Sequence, residues 1–558
     1  MTSINECFLV YVLIFSVGIT LSDQQNSYKA AVVEYAVKIS TANVDDHIQG
    51  NTNNYISYMR DAASQDVDII LFPESTLNNG FTADRNRIIE YAFFVPDPKD
   101  GVSPCDAGNS GFHQALISLS CQARSSKMYL VINVSEKKVC PELSDTRPCS
   151  KDGYNLFNTN VVFDRDGKIV SRFRKYNLFG ETMYNTTMKP EVETFSTDFN
   201  VTFGHLVCFD LMFSQPSLAV LYEKGVRNIL APMMWYSELP FLTAVQFQQS
   251  WAYSHNVNLL VAGANSPRSG SGGSGIFAGK DGAMAAFITG NLDSRLLTAT
   301  LDGDLLSNVS PSLNIDSVEA QEMRMLRDHL DHYAWKPVAV DLSHREGITT
   351  RICHFDFCCT VFTKASVLSD GPNGGRYNYM AVAYDGVRTY SGVATGGVQT
   401  CGLIACTGSD LDSCGKMFTN TSLGGNVQFE EISISGSFRK TNSTQFPVSL
   451  KRSLLPLPSN QIDYQSTKSK ANPEDADITM KLIGKSDNLL TFAIFGRDFS
   501  KDGQPVSDIM KVSKKVYAAH SLVSRGIGKE NSESTIEYLL FRLQVLMLIV
   551  SVYCLEQM

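Results

Sequence analysis

At 558 residues, 43% of them hydrophobic and 19% charged, the chain can bury more than one core, and we expect two large domains rather than several small ones. Its formal net charge of −9 excludes the basic footprint of a nucleic-acid-binding protein.

The first element is an apolar stretch, Phe8 to Thr20, followed by Leu21-Ser22 and the polar Asp23-Gln24-Gln25-Asn26. It reads as a secretory leader covering residues 1–22, although no basic residue precedes it. From Tyr28 to about Thr300, strand and helix patterns alternate, the mark of a layered α/β domain. Ala30 to Val37 reads as the first strand, and Asn51 to Ala63 as a helix. The run Val67 to Phe72 closes on Pro73-Glu74, and Met128 to Val134 is a further strand. Asn160 to Phe163 and Lys168 to Phe173 flank Asp164-Arg165-Asp166-Gly167, a hairpin turn signal, and Lys175 follows directly. Cys208 sits late in the apolar run Val201 to Asp210. A strand near Ile229, a helix from Ala244 to Ser254 and a strand from Val257 to Ala262 come next. The Ser- and Gly-rich tract Asn265 to Gly279 reads either as a surface loop or as a loop that substrate or a neighbouring chain approaches closely.

Beyond Thr300 the texture changes. Val318 to Leu330 looks helical, and short strands between Gly-rich turns then suggest a β-rich second domain spanning 318–520. Leu457 to Ala476 reads as a polar linker. The apolar tail Leu543 to Tyr553 is too short for a transmembrane helix of about 20 residues. Residues 526–558 read either as a lipid-anchor attachment signal, removed when used, or as an amphipathic helix.

Six N-x-S/T acceptors begin at Asn133, Asn185, Asn200, Asn308, Asn420 and Asn442, and with the leader they point to a secreted glycoprotein. Setting aside Cys7, Cys554 and Cys208 leaves ten of 13 cysteines, an even set as an oxidising compartment requires. Short loops favour Cys140 with Cys149 and Cys105 with Cys121. The six cysteines of the second domain (Cys353, Cys358, Cys359, Cys401, Cys406 and Cys414) have no pairing that sequence can rank. Cys353-His354-Phe355-Asp356-Phe357-Cys358-Cys359 lacks paired-ligand spacing, so we expect disulfides there and no metal. Gly270 to Gly275 matches G-x-G-x-x-G without a helix behind it, so no dinucleotide cofactor is expected.

Three chemistry-bearing residues end apolar runs: Glu74, Lys175 and Cys208. A thiol attacks as thiolate, an ammonium nearby favours that form, and a carboxylate can carry the proton between thiol, leaving amine and water. Leu71-Phe72-Pro73-Glu74-Ser75, Arg174-Lys175-Tyr176-Asn177-Leu178-Phe179 and Val207-Cys208-Phe209-Asp210-Leu211 resemble, in order, the three signature blocks of the nitrilase superfamily of carbon–nitrogen hydrolases. Asn177 to Glu181, Ala231-Pro232-Met233-Met234-Trp235 and Gly273-Ser274-Gly275-Ile276-Phe277 are similar to its vanin and biotinidase branch.

The resemblance implies an α-β-β-α sandwich over roughly 28–300, with the branch's β-rich domain after it. It implies Glu74 as proton carrier, Lys175 as oxyanion partner, Cys208 as nucleophile and Glu181 as the second glutamate that holds the lysine and positions substrate. The implied activity is cofactor-free, extracellular hydrolysis of a small-molecule amide, with pantetheine as substrate or, alternatively, biotinyl-lysine or a biotinyl ester. Attachment to the cell membrane through a lipid anchor and a homodimer are compatible with it. A catalytically silent surface binding protein on the same scaffold would be marked by loss of a triad member, and all three are present.

Overall fold

The computed structural model describes residues 26–506, apart from 37–42, 79–82, 107, 109–110, 142–144, 146, 306–313, 319–322, 341–345, 370–374, 419–425 and 488. The expected leader and the carboxyl-terminal tail lie outside the described residues. Among the described residues, no helix is long and apolar enough to cross a membrane.

The first sheet is formed by β1 (Ser27–Ala36), β2 (Ile69–Leu71), β3 (Tyr129–Val139), β4 (Tyr154–Phe163) and β5 (Ile169–Arg174), hydrogen-bonded in that order. β1, β2 and β3 run parallel, and β3–β4–β5 turn back antiparallel. The second sheet contains β6 (Thr194–Ser196), β7 (Thr202–His205), β8 (Asn228–Met233), and, beyond the two-residue β9 (Glu238–Leu239), β10 (Asn258–Asn265), β11 (Ser274–Ala278) and β12 (Gly282–Thr289). β13 (Arg295–Asp302) returns antiparallel to β1, and β14 (Asn314–Val318) pairs with β12. A short parallel pairing of β1 with β10 joins the two sheets.

Alternation along the strands builds the layers, because neighbouring side chains point to opposite faces. Ala31, Val33 and Tyr35 of β1 face α1 (Val44–Ala63), α2 (Arg85–Tyr91) and α3 (Gln114–Ser126). Tyr28, Ala30 and Val32 face the other way, into the core between the sheets, where they meet Phe203, Leu230, Leu260 and Ile276. The far side of the second sheet, with Ala231, Met233, Val261 and Phe277, joins the core that holds α5 (Ala244–His255) and residues of α4 (Ser217–Tyr222). This is the expected α-β-β-α sandwich. Asn43 starts α1 by accepting a hydrogen bond from the Asp46 amide, a local reason for the helix to begin seven residues before the expected Asn51.

The remainder is β-rich: β15 (Leu326–Arg327), β16 (Ala334–Val338), β17 (Ile348–His354), β18 (Phe357–Ser369), β19 (Asn378–Tyr390), β20 (Ala394–Cys406), β21 (Asn426–Arg439), β22 (Ser443–Lys451), β23 (Ile462–Lys468), β24 (Asp475–Leu482), β25 (Ser486–Asp487) and β26 (Leu489–Asp498). They form one sheet in the order β16-β19-β20-β26-β22 and another in the order β17-β18-β21-β24-β23. α5 packs on both β11 and β22, and its Ser250 and Gln249 donate to the carbonyls of Pro447 and Leu457. One core therefore runs from the second sheet through α5 into the carboxyl-terminal strands.

Three expectations need correction. Among its described residues, Val318 to Leu330 forms no α-helix: Leu326 and Arg327 pair with β9, and the Arg327 guanidinium is held by the carbonyls of Cys414 and Leu411. Those tertiary partners outweigh local helix propensity. Leu457 to Ala476 is no linker, since β23 pairs along its whole length with β24. The tract Asn265 to Gly279 is not a loose surface loop; the close-approach alternative holds, with Arg324, Glu34 and Ala244 packed against the backbone of Gly270, Gly272 and Gly273. Its second half is the buried β11, and Gly273 N and Ser274 Oγ donate to the buried Glu34 carboxyl, which burial pushes up to about 7.

All ten expected cysteines pair: Cys105–Cys121, Cys140–Cys149, Cys353–Cys358, Cys359–Cys401 and Cys406–Cys414. Among the described residues Cys208 alone is a free thiol.

Candidate active site

The parallel arrangement of β2, β5, β7 and β8 sends the loops at their carboxyl ends to one edge of the sandwich, and the candidate residues come from those loops. Glu74 lies three residues past β2, Lys175 directly follows β5, and Cys208 lies three residues past β7. All three are buried and line one cleft together with Glu181, Met234 and Tyr236. The chain leaves β7 before Cys208, which opens a 3₁₀ turn with φ of 46°. A non-glycine residue in that region is strained, a feature that collects at functional sites, and here it turns the sulfur away from the strand line.

Lys175 Nζ donates to Glu74 Oε1 at 2.7 Å and to Glu181 Oε2 and Oε1 at 2.8 and 3.0 Å. The two glutamates are bridged a second time by Asn158 Nδ2, 2.7 Å from Glu74 Oε1 and 2.8 Å from Glu181 Oε1. Asn158 is oriented in turn by Asn133, whose amide nitrogen donates to Asn158 Oδ1 at 2.7 Å while its oxygen accepts from Ser75 N at 2.9 Å. The Met234 amide donates to Glu74 Oε2 at 2.8 Å, so both carboxylate oxygens are fixed. Asp210 ties the lysine loop to the Cys208 turn by accepting from both nitrogens of Asn177 at 2.8 Å.

Electrostatics sort the groups. Burial opposes the charge on Lys175, but Glu181 and Glu74 outweigh it and hold the ammonium well above its ordinary range. Burial also opposes ionisation of Glu181, yet Lys175 keeps that carboxyl below its usual value. Glu74 goes the other way: burial raises it, Glu181 adds to the rise, and Lys175 offsets only part. The Cys208 thiol is pushed well above its ordinary value by burial and by Glu74, against the pull of Lys175. The expectation that Lys175 leaves Cys208 with a lowered pKa is thereby reversed: burial and Glu74 favour the protonated sulfur. The arrangement suits a neutral thiol whose proton goes to a raised carboxylate as the sulfur attacks.

Asn133 needs a further correction. It is 1% exposed and commits its side chain to Asn158, Asn160 and the Ser75 amide, so the folded chain cannot carry a glycan there. Asn200 and Asn442 are exposed and Asn185 is half-buried, while Asn308 and Asn420 lie outside the described residues. Sequence reasoning missed Asn158, although Asn158 and Asn160 two apart in an apolar strand mark a polar group facing inward. Met234 gave no signal, because its backbone does the work.

A second, apolar chamber opens from the same sulfur. Cys208, Phe179, Met234 and Tyr236 line both spaces, and Phe209, Met212, Trp235, Leu242, Leu326, Tyr390 and Glu238 continue the second. Leu326 and Tyr390 come from the β-rich part of the chain.

A family model for carbon–nitrogen hydrolases matches residues 29–305, and one for the vanin C-terminal domain matches 323–502. Vanin-like protein 1 of Drosophila melanogaster is 35% identical over 499 residues, covering 86% of this chain and 87% of the relative. Biotinidase of Takifugu rubripes is 33% identical over 417 residues, covering 70% and 81%. Human pantetheinase is 29% identical over 512 residues, covering 88% and 93%.

Proposed function

The chain belongs to the vanin and biotinidase branch of the carbon–nitrogen hydrolases, and from that premise we propose that it cleaves a linear secondary amide through a Cys208 thioester, with pantetheine as substrate and pantothenate and cysteamine as products. The observation that carries this reading is the Glu74–Lys175–Glu181 cluster opening beside the free thiol. As Cys208 Sγ attacks the amide carbon, Glu74 takes the thiol proton. Lys175 and a backbone N–H steady the oxygen that becomes negative. Glu74 returns the proton to the departing amine nitrogen, the C–N bond breaks, and a thioester remains. Water then enters, gives a proton to Glu74 and attacks the thioester carbon, and the sulfur leaves with that proton as the acid is released. Glu181 keeps Lys175 charged and placed, and touches no reacting atom in this scheme.

Biotinyl-lysine is the second reading, favoured by the 33% identity to a biotinidase. Both substrates break at an acyl carbon and need the same residues. Purified protein given pantetheine and biocytin side by side tests the choice: cysteamine release from the first supports the proposal, and lysine release from the second alone replaces it.

We place the enzyme outside the cell, secreted or held at the membrane by a lipid anchor, with the leader at 1–22, the hydrolase domain at 28–300, the β-rich domain at 318–520 and the anchor signal within 526–558. Five disulfides and the spans of the two family matches support this division. Intact-protein mass of secreted material tests both ends. A homodimer is part of the same reading, tested by the molar mass in solution.

A further inference from the structure

The apolar chamber ends on a second buried charge cluster that the proposed chemistry does not use. Glu238 lines the chamber with its side chain 12% exposed, and Arg388 Nη2 donates to its Oε1 at 2.5 Å. Asp328 lies behind, 3.2 Å from Arg388 Nη1, and takes the Tyr333 hydroxyl at 2.8 Å. Among the described residues Glu238 accepts a side-chain hydrogen bond only at Oε1, and the buried hydroxyl of Tyr390 on the same wall has no hydrogen-bond partner. A buried polar group without a partner calls for an account, and this one, sharing a chamber wall with a carboxylate, points to a ligand. Arg388 and Arg497 both lie against the Tyr390 ring, 4.7 and 5.6 Å from its centroid, which fixes it in place.

The direction of the chamber follows from the chemistry. Glu74 must reach the leaving nitrogen, so the amine departs into the charged cleft that Glu74 lines. The acyl chain, the other substituent of the attacked carbon, then points toward the apolar chamber lined by Phe209, Met212 and Trp235.

Resting on the amidase reading above, we propose that Glu238 determines acyl-chain specificity: its carboxylate, with Tyr390 on the same wall, receives a hydrogen-bond donor carried by the acyl chain. A hydroxyl or a ureido N–H meets that requirement, so pantoyl and biotinyl chains share the chemistry. Burial pushes the Glu238 carboxyl up to about 7 against the pull of Arg388, so it accepts from such donors most strongly above neutral pH. Arg388, Asp328 and Tyr390 belong to the span matched by the vanin C-terminal model, so on this assignment the β-rich domain completes the substrate site.

The test holds the leaving group constant and varies the donor. One arm compares pantetheine with its analogue carrying a 3,3-dimethylbutanoyl group in place of the dihydroxy acyl end. The other compares biocytin with Nε-pentanoyl-lysine. In the better arm the wild type should prefer the donor-bearing substrate at least about tenfold in kcat/KM. Glu238→Leu should bring that ratio close to one, mainly through KM. Glu238→Gln, which keeps an acceptor oxygen and leaves Asp328 to pair Arg388, should retain part of it. An equal ratio in wild type and both variants would overturn the assignment of Glu238 and leave the amidase reading standing. Absence of turnover on all four substrates by the wild type would remove the amidase reading, and this inference with it.

Discussion

Beside each of the two chambers that meet at Cys208, one buried and one partly buried carboxylate surround one cation: Glu74 and Glu181 around Lys175, and Asp328 and Glu238 around Arg388. In each, burial raises one carboxyl, Glu74 in the first and Glu238 in the second, because a single positive charge cannot neutralise two buried negative ones. Glu136, paired with Arg174 at 2.5 Å and near Arg172 at 3.7 Å, is buried just as deeply and is held below its ordinary value. At Glu136 the hydrogen bonds and charges of Arg174 and Arg172 outweigh burial, whereas at Glu74 and Glu238 the neighbouring cation does not. On the proposed reading the raised carboxyl of Glu74 works as a base, and the raised carboxyl of Glu238 works as a binding group. The cations match these tasks: a compact ammonium reaches both glutamates and faces the developing oxyanion, while a planar guanidinium locks a wall in place.

Removing the sulfur should separate the chambers most sharply. Cys208→Ala should lose at least about 10⁴-fold in rate while still folding and still taking up acyl chain in the apolar chamber. Intact-mass spectra with substrate should show a covalent adduct in the wild type only, and an adduct in Cys208→Ala would mean that another residue attacks. Glu74→Gln should cost about 10² to 10⁴-fold, since both half-reactions use its proton transfers. In the wild type kcat/KM should fall on acidification through an ionisation above the ordinary carboxylate value of 4.5, because Glu74 must be ionised to act as base. Near-normal turnover in Glu74→Gln would take Glu74 out of the mechanism.

Next in size are the cations. Lys175→Met and Arg388→Met each strand two buried carboxylates and should cost about 3 to 5 kcal/mol in stability. Both variants should recover part of that on acidification, as the stranded carboxyls protonate. Urea titrations at two pH values check this, and a loss that does not change with pH would break the parallel between the clusters. The smallest effect belongs to Glu238. Its folded value of about 7 lies above the ordinary 4.5, so the folded state binds the extra proton between them, and stability falls as pH rises through that window. The group's contribution to that fall is at most about 3 kcal/mol. Glu238→Gln should flatten the slope, and an unchanged slope between pH 4.5 and 7 would assign the titration elsewhere.

Much of this site was legible from the chain. Apolar runs ending on Glu74 and Lys175, and one with Cys208 late in it, located three loops, and with Cys208 set aside the even set of ten cysteines agreed with its being the free thiol among the described residues. The sequence misled where a polar group is consumed inside. Asn133 reads as a glycan acceptor by its triplet, yet it spends its amide on Asn158, the residue that bridges Glu74 and Glu181. Asn265 to Gly279 reads as open loop by composition, yet its backbone and Ser274 satisfy Glu34. Leu326 and Arg327 read as helix, yet pairing with β9 draws them extended beside Glu238.

Local order and side-chain periodicity thus determined the elements, the α/β class and which residues are capable of chemistry, because those depend on neighbours a few positions apart. Only the tertiary structure decided the protonation of Cys208, the bridging role of Asn158, and the meeting of Glu238 with Arg388 across a separation of 150 residues. The physical reason is that burial and the balance of charge around a group depend on segments far apart in the chain, and these set its pKa and its free hydrogen-bonding capacity.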